Sequence, residues 1–345
     1  MTAYIIRRLL WMVPLLWAVV TITFLLMHAV EGGPFSRERP LPEAALENLN
    51  RKYHLDKPVF VVSLDSGAPF VQLHGDSQYS RYLWDLAQGD LGQSFYVQDR
   101  QVSTLIKDGF EVSLQLGLSA FVFAVVFGLS LGIISALNHN GPLDYIGVFF
   151  SMVGASMPNF ILGTFLIVIF AVELGWFDVL GWGGPENWDF WNPTSPDFWK
   201  VFVPTNWDFH KVLLPVLALG VLPAAYFARI TRASMLEVLS QDYIRTARSK
   251  GLSEWAVILR HSVKNAMVPI LTVMGPYLAF LVTGSFLVET VFTIPGVGQR
   301  FVDSVFQRDY GMIMGTTIFY TAFIAFANLG VDLLYGFVDP RIRYS

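Results

Sequence analysis

The chain of 345 residues is 54% hydrophobic and 15% aromatic, with a mean hydropathy of +0.49, and only 14% of it is charged, against about 25% in soluble domains. That balance excludes an ordinary soluble enzyme and indicates a membrane protein. A net charge of −4 names no partner, while the absence of cysteine excludes disulfides, thiolate metal sites and cysteine nucleophiles.

Six stretches are long and apolar enough to cross roughly 30 Å of hydrocarbon as helices. They are 9–30, 112–137, 145–172, 212–228, 266–288 and 313–331, none of which contains Asp, Glu, Lys or Arg. The pattern predicts an all-α membrane protein with six transmembrane helices. Arg7 and Arg8 precede the first stretch as they would in a secretory signal, but no small-x-small cleavage site follows it, and it reads as a retained anchor. Residues 1–30 are then the tail and first helix, 31–111 an extracytoplasmic segment, and 112–345 a core of five helices. Within 31–111 a helical pattern over 42–53 places Leu46, Leu49 and Tyr53 on one face, and a Gly-, Asp- and Ser-rich loop follows. This is enough for a small extracytoplasmic cap.

In the second span Gly128, Ser130, Gly132 and Ala136 give a small-residue face on which helices can approach closely. In the third, Gly147, Ser151, Ala155, Asn159 and Gly163 form one stripe, and Pro158 predicts a bend beside it. Such a stripe is either a packing face or the polar wall of a passage, since lipid would leave the polar groups of Ser151 and Asn159 unpaired. Ser151, Ala155 and Asn159 are the candidate pathway residues. The outer stretch 175–210 holds six of the ten tryptophans, which serve either as an interfacial belt or as a docking surface, with Trp188, Trp191 and Trp199 as candidates. Asp332, near the end of the last span, reads as a structural partner of a basic side chain. No deep carboxylate or histidine relay of the kind a proton-driven carrier uses is visible.

With six spans both termini share a side. Segments 1–8, 138–144, 229–265 and 339–345 carry 11 Lys or Arg in 59 residues, whereas 31–111, 173–211 and 289–312 carry 12 in 144. The denser set is cytoplasmic by the positive-inside rule.

One cytoplasmic segment, "DYIRTARSKGLSEWAVILRHSVKNAMVP" at 242–269, interrupts the apolar pattern. Leu236, Leu239, Tyr243 and Ala247 fall on one helical stripe, and Gly251 suits a left-handed helix end. Ser253 can cap a second helix, whose Trp255, Ile258, Leu259 and Ser262 form another stripe. A helix, a glycine turn and a helix tied between two spans are badly placed to read nucleic acid, which leaves membrane lipid and a cytoplasmic protein as contacts. No phosphate loop, nucleophile elbow or carboxylate pair occurs, Gly296-Val297-Gly298 is an isolated turn, and the six histidines lack metal-site spacing. The chain alone carries no catalytic site.

The stretch "YIRTARSKGLSEWAVILRHSVKNAMVP" resembles the coupling loop of permease subunits of binding-protein-dependent ABC importers, in their dipeptide/oligopeptide/nickel branch. The resemblance extends through "GDLGQSF" (89–95), "GPLDYIGVFFSMVGASMPNFILG" (141–163), "ETVFTIPGVGQRFVDSVFQRDYGM" (289–312) and "DPRIRY" (339–344). It implies a permease subunit in a bacterial or archaeal inner membrane that pairs with a second homologous permease to enclose the pathway. Two cytoplasmic ATP-binding subunits would hold ATP and Mg, so this chain would need no cofactor, and an extracytoplasmic substrate-binding protein would deliver di- or oligopeptides, nickel chelates or oligosaccharides. Within a coupling loop at 233–265, the resemblance assigns contact with the ATPases to Arg245, Ala247, Gly251, Leu252 and Glu254. The general pattern begins Glu-Ala-Ala where this chain has Arg245-Thr246-Ala247, so the glutamate's role does not carry over; Ala247 and Gly251 match. Stretches 59–83 and 184–210 look longer than is usual. A stand-alone channel or secondary carrier, which needs no ATPase, is the alternative from another class.

Overall fold

In a bilayer each backbone amide must find its partner within its own segment, so uninterrupted apolar runs become continuous helices. The computed structural model describes residues 2–30, 32–35, 42–60, 62–63, 72–73, 76–185, 188–202, 206–283 and 285–338. The tail motif at 339–344 and parts of 59–83 and 184–210 lie outside these residues. In chain order the helices begin with α1 (Thr2–Ala29), α2 (Glu43–Lys52), α3 (Gln78–Ala87) and α4 (Val102–Leu137). A two-residue antiparallel pair joins Val62–Ser63 to Gln72–Leu73. There follow α5 (Pro142–Ser156), α6 (Asn159–Leu166) with a π-helical extension Ile167–Glu173, α7 (Phe209–Leu239) and α8 (Asp242–Ser249). The chain continues as α9 (Glu254–Ala256), a π-helical turn Val257–Val263, α10 (Lys264–Val282), α11 (Phe286–Val291), α12 (Val297–Gln307) and α13 (Tyr310–Val338).

Among the described residues five helices are long and apolar enough to span a membrane, and α5 with extended α6 makes a sixth span broken by 107°. The break corrects the expectation of one bent helix over 145–172. Met157 takes extended backbone (φ −102, ψ 129), as a residue before proline does, and Pro158 has no N–H with which to continue the helix. The fifth span is also redrawn. Its helix begins at Glu254, ahead of the apolar run, because α9 runs through the π turn into α10, and it ends at Val282, leaving α11 separate.

Residues 1–109 with 300–323 form one compact unit, and 110–299 with 324–345 a second. In the first, α1 buries Val20, Phe24 and Met27 with Met314 and Ile318 of α13, and Tyr79, Tyr82 and Leu83 of α3 pack on that cluster. Asp309 is the buried fastener. Its carboxylate accepts hydrogen bonds from Ser94 Oγ, from Phe95 N at 2.9 Å and from Met312 N at 3.1 Å. It thereby caps α13 and ties down the loop after Gly92.

In the second unit α7 is the helix on which α5, α6 and α10 pack. Apolar burial drives little association in lipid, so small residues and close backbones must supply the contact. A Cβ at Gly128 would stand 2.7 Å from Ala224 O, and one at Gly132 2.6 Å from Ala228 O; at Gly220 it would stand 2.9 Å from Ala120 O. The small face of the second span is therefore a packing face on α7. Gly132→Leu should force the two backbones apart at a cost of about 1–3 kcal/mol, seen as a lower unfolding temperature of the purified protein in detergent. An unchanged temperature would mean that α4 and α7 do not meet here.

Candidate coupling and translocation site

The coupling segment owes its shape to two backbone breaks. α7 stops at Leu239, Ser240 and Gln241 turn the chain, and α8 begins at Asp242. The predicted stripe of Leu236, Leu239, Tyr243 and Ala247 is thus split between two helices. The residues buried with Ala247 are Ile244 of α8 and Val257 of the π turn, with the partly buried Val238 of α7 packed against them. Tyr243 is exposed instead, its hydroxyl accepting from Asn265 Nδ2 at 3.0 Å.

Gly251 has φ +76, the left-handed conformation that ends α8, and its N–H donates to Arg248 O at 2.9 Å. Across the turn Arg248 Nη2 meets Glu254 Oε1 at 2.6 Å, while Arg245 pairs with Asp242 at 2.7 Å. Both pairs are solvent-exposed and contribute little to stability, but the first bridges the end of α8 and the start of α9. Ser253 occupies the cap position with no side-chain hydrogen bond, so its expected capping bond is absent.

The second predicted stripe is corrected as well. Ile258 and Ser262 are buried, whereas Trp255 is 71% and Leu259 61% exposed. The cause is the π turn. Its wider winding, marked by Ser262 Oγ donating to Val257 O at 3.1 Å across five residues, rotates the face away from a 3.6-residue period. Leu252, 42% exposed, joins Trp255 and Leu259 in an apolar knob flanked by Arg248 and Glu254.

Further back along the chain, Arg232 of α7 makes a bidentate pair with Asp144, Nε to Oδ1 at 2.6 Å and Nη2 to Oδ2 at 2.7 Å. Asp144 also accepts from Ser135 Oγ and from Asn140 N at 2.9 Å. This buried clamp ties the 138–144 turn to the end of α7. Its partners lie far apart in sequence and were not singled out there.

The candidate pathway residues are dispersed by the break at Pro158. Ser151 faces α7 beside a cavity of about 230 Å³ that Arg229 and Arg232 also line, and its hydroxyl donates to Gly147 O at 2.8 Å. Ala155 is exposed. Asn159 opens α6, with a buried Oδ1 that accepts no hydrogen bond among the described residues. Trp188, 3% exposed, donates its indole N–H to Phe198 O at 2.6 Å and so shapes its loop rather than presenting a surface. Trp191 and Trp199 keep exposed rings. Asp332 is half-buried in α13.

At the other end of the second unit sits a carboxylate that sequence reading missed. Glu289 of α11 is fully buried; its Oε1 accepts from Ser113 Oγ at 2.9 Å, and its Oε2 accepts from Gln299 N at 3.1 Å at the start of α12. A Cβ at Gly296 would lie 2.2 Å from Oε2, so that glycine is required by the close approach. Among the described residues no cluster of His, Asp and Glu could hold a metal.

This architecture, spans packed around α7 with a short exposed helix–turn between two of them, is that of a transport permease. Residues 128–344 match the family described as binding-protein-dependent transport system inner membrane component, and the chain belongs to that family. It is 42% identical over 343 residues to the dipeptide transport system permease protein DppB of Bacillus subtilis, covering 99% of this chain and 98% of that one. It is 38% identical to the oligopeptide transport system permease protein OppB of Haemophilus influenzae, over the whole of both chains. An inward-facing structure of the MetNI methionine ABC transporter shares the fold, with a TM-score of 0.52 at 17% identity over 69% of this chain and 97% of that one.

Burial pushes Glu289 up from 4.5 to about 7. The folded state thus holds the proton more tightly than the unfolded one, a stabilisation fully present below pH 4.5 and lost as pH rises through 7. Glu289→Gln, which mimics the protonated form, should match the parent near pH 5 and exceed it at pH 8 by up to roughly 3 kcal/mol. Thermal unfolding in detergent across that range measures this; parallel pH profiles would contradict it.

Proposed function

We infer that this chain is one of two permeases of an ATP-driven importer for di- or oligopeptides, with both termini in the cytoplasm. The reading of its substrate rests on full-length similarity to relatives named as dipeptide and oligopeptide permeases. The reading of its mechanism rests on one observation above all. A rigid turn at Gly251 holds an exposed apolar knob of Leu252, Trp255 and Leu259, and an exposed large apolar patch on an aqueous face calls for a protein partner.

That partner is an ATP-binding subunit, one of two, which holds the ATP and Mg. Arg245, Ala247, Gly251, Leu252 and Glu254 form its seat, with Ala247 acting from beneath through the Ile244–Val257 core. Closure of the ATPases displaces α8 and the turn, and the displacement enters the spans by two routes: α9 into α10, and the Arg232–Asp144 clamp into α5 and α7. The pathway runs between the two permeases along the broken third span, where Ala155 is exposed to it, Asn159 opens α6 with an Oδ1 that has no partner among the described residues, and Ser151 stands behind them against α7. An extracytoplasmic binding protein docks outside, and Trp191 and Trp199 are the exposed rings that suit it.

Gly251→Val places a β-branched residue in left-handed backbone, straining the turn by about 1–2 kcal/mol without touching the spans. The variant should insert and pair with its partner permease, yet lose most transport in reconstituted vesicles, with ATP hydrolysed unproductively or the ATPases bound weakly. Full transport at a normal ATP-to-substrate ratio would refute the coupling role. Purification without any ATP-binding subunit, with transport intact, would favour a stand-alone carrier. Replacing Trp191 and Trp199 by Ala should reduce stimulation of ATPase activity by the binding protein while sparing the basal rate; unchanged stimulation would assign both rings to the membrane interface.

A further inference from the structure

The cap, with residues of α1 and α13, lines a half-open cavity of about 420 Å³ in the first unit, within the size range of small-molecule sites. It is remote in sequence from the coupling segment, and nothing in the transport mechanism above uses it. Helix α3 sends Gln78, Tyr82 and Asp85 to it at helical spacing, and the following loop adds Asp90. Three aromatic rings continue the wall: Tyr53 and Phe95 stand 4.4 Å apart between centroids, and Phe95 and Tyr310 6.2 Å. The Tyr53 and Tyr310 hydroxyls are already committed to Ser94 O and Met27 O.

The charges in the lining are unevenly satisfied. Its cations have acid partners that lie outside the cavity: Lys52 meets Asp99 at 3.1 Å, and Arg81 holds Asp76 through Nε and Nη2. The acids are less engaged. Asp85 forms no ion pair or side-chain hydrogen bond among the described residues, although it lies within the field of the Arg81 guanidinium in the same lining, and Asp90 accepts only from Gly92 N at 2.8 Å. The Tyr82 hydroxyl is buried against the cavity wall with no hydrogen-bond partner among them, an arrangement that costs free energy unless something fills it. The molecule already lays one ammonium on this wall, since Lys52 Nζ sits 5.5 Å from the Tyr53 ring centroid.

Carboxylates at the rim, an unpaired phenol and aromatic rings together recognise a primary ammonium attached to an apolar body. We propose that the cap cavity binds the amino end of a short peptide, giving the permease a substrate site of its own outside the membrane-spanning pathway. Asp85 and Asp90 take the ammonium, Tyr82 accepts one of its protons, and the Phe24, Leu91 and Met314 side chains receive the first apolar residue. Selection would therefore be for a free amino terminus rather than for sequence. This reading rests on the peptide assignment above but has a separate test.

Binding of trileucine and of N-acetyl-trileucine is measured by calorimetry on the assembled importer, without its binding protein, in phosphatidylglycerol nanodiscs. Trileucine should bind, and acetylation should weaken it about tenfold or more, the loss expected for removing a charge-assisted contact. Asp85→Asn with Asp90→Asn should lower trileucine affinity to the same degree, and Tyr82→Phe should lower it less. Equal binding of both peptides, or parental affinity in the double variant, overturns the proposal. Loss of trileucine binding when phosphatidylethanolamine replaces phosphatidylglycerol also overturns it, since the ammonium would then be a lipid's. Transport of trileucine by the complete parental importer is followed in parallel. Transport with parental trileucine affinity in the double variant overturns the cavity alone, whereas ammonium-dependent binding without transport supports the cavity and overturns the peptide importer.

Discussion

No side chain separates α4 from α7 at Gly128 and Gly132, where a single added carbon would fall within 3 Å of a backbone oxygen. Where lipid is as apolar as the helices themselves, such contact is what holds spans together, and it fixes α7 in place before anything else can be positioned. On α7 depend α5 and α6, packed along its length, α10 on another side, and the Arg232 guanidinium that anchors the 138–144 turn. In the clamp Asp144 is buried while Arg232 is 27% exposed; loss of Arg232 would leave a buried carboxylate with only Ser135 Oγ and Asn140 N to balance it, which is destabilising.

From that frame the coupling segment inherits its rigidity. The turn at Gly251 has little core of its own, Ile244, Ala247, Val257 and Val238, and its exposed ion pairs contribute little. Its geometry is held by its chain connections at both ends: two residues from α7 to α8, and the unbroken π-helical turn Val257–Val263 from α9 to α10. A push on the knob is transmitted because neither connection is slack.

Features governed by local backbone chemistry were legible in the sequence. Gly251 ends its helix in left-handed backbone, Pro158 disturbs the third span, though by a break rather than the bend expected, and the small face of the second span packs closely, each a consequence of local steric properties. Features that depend on register or on distant partners were not. A 3.6-residue period placed Trp255 and Leu259 with Ile258, and only the π turn separates them. Arg232 and Asp144 are 88 residues apart, and Glu289 and Ser113 are 176 apart, so no local pattern pairs them. Trp188 looked like a surface anchor because tryptophan enrichment does not reveal which ring its loop folds over.

The π turn also bears on how coupling segments can be exchanged between relatives. It winds one residue more per turn than the helix around it, so the azimuth of the knob relative to α10 is a matter of residue count between Gly251 and Lys264 rather than of side-chain identity. A graft that gains or loses one residue inside 257–263 would reset that angle by about a quarter of a turn even at perfect sequence identity in the knob. Moving the whole stretch from Asp242 to Val263 as one cassette, with its junctions in the regular helix on either side, keeps that count intact.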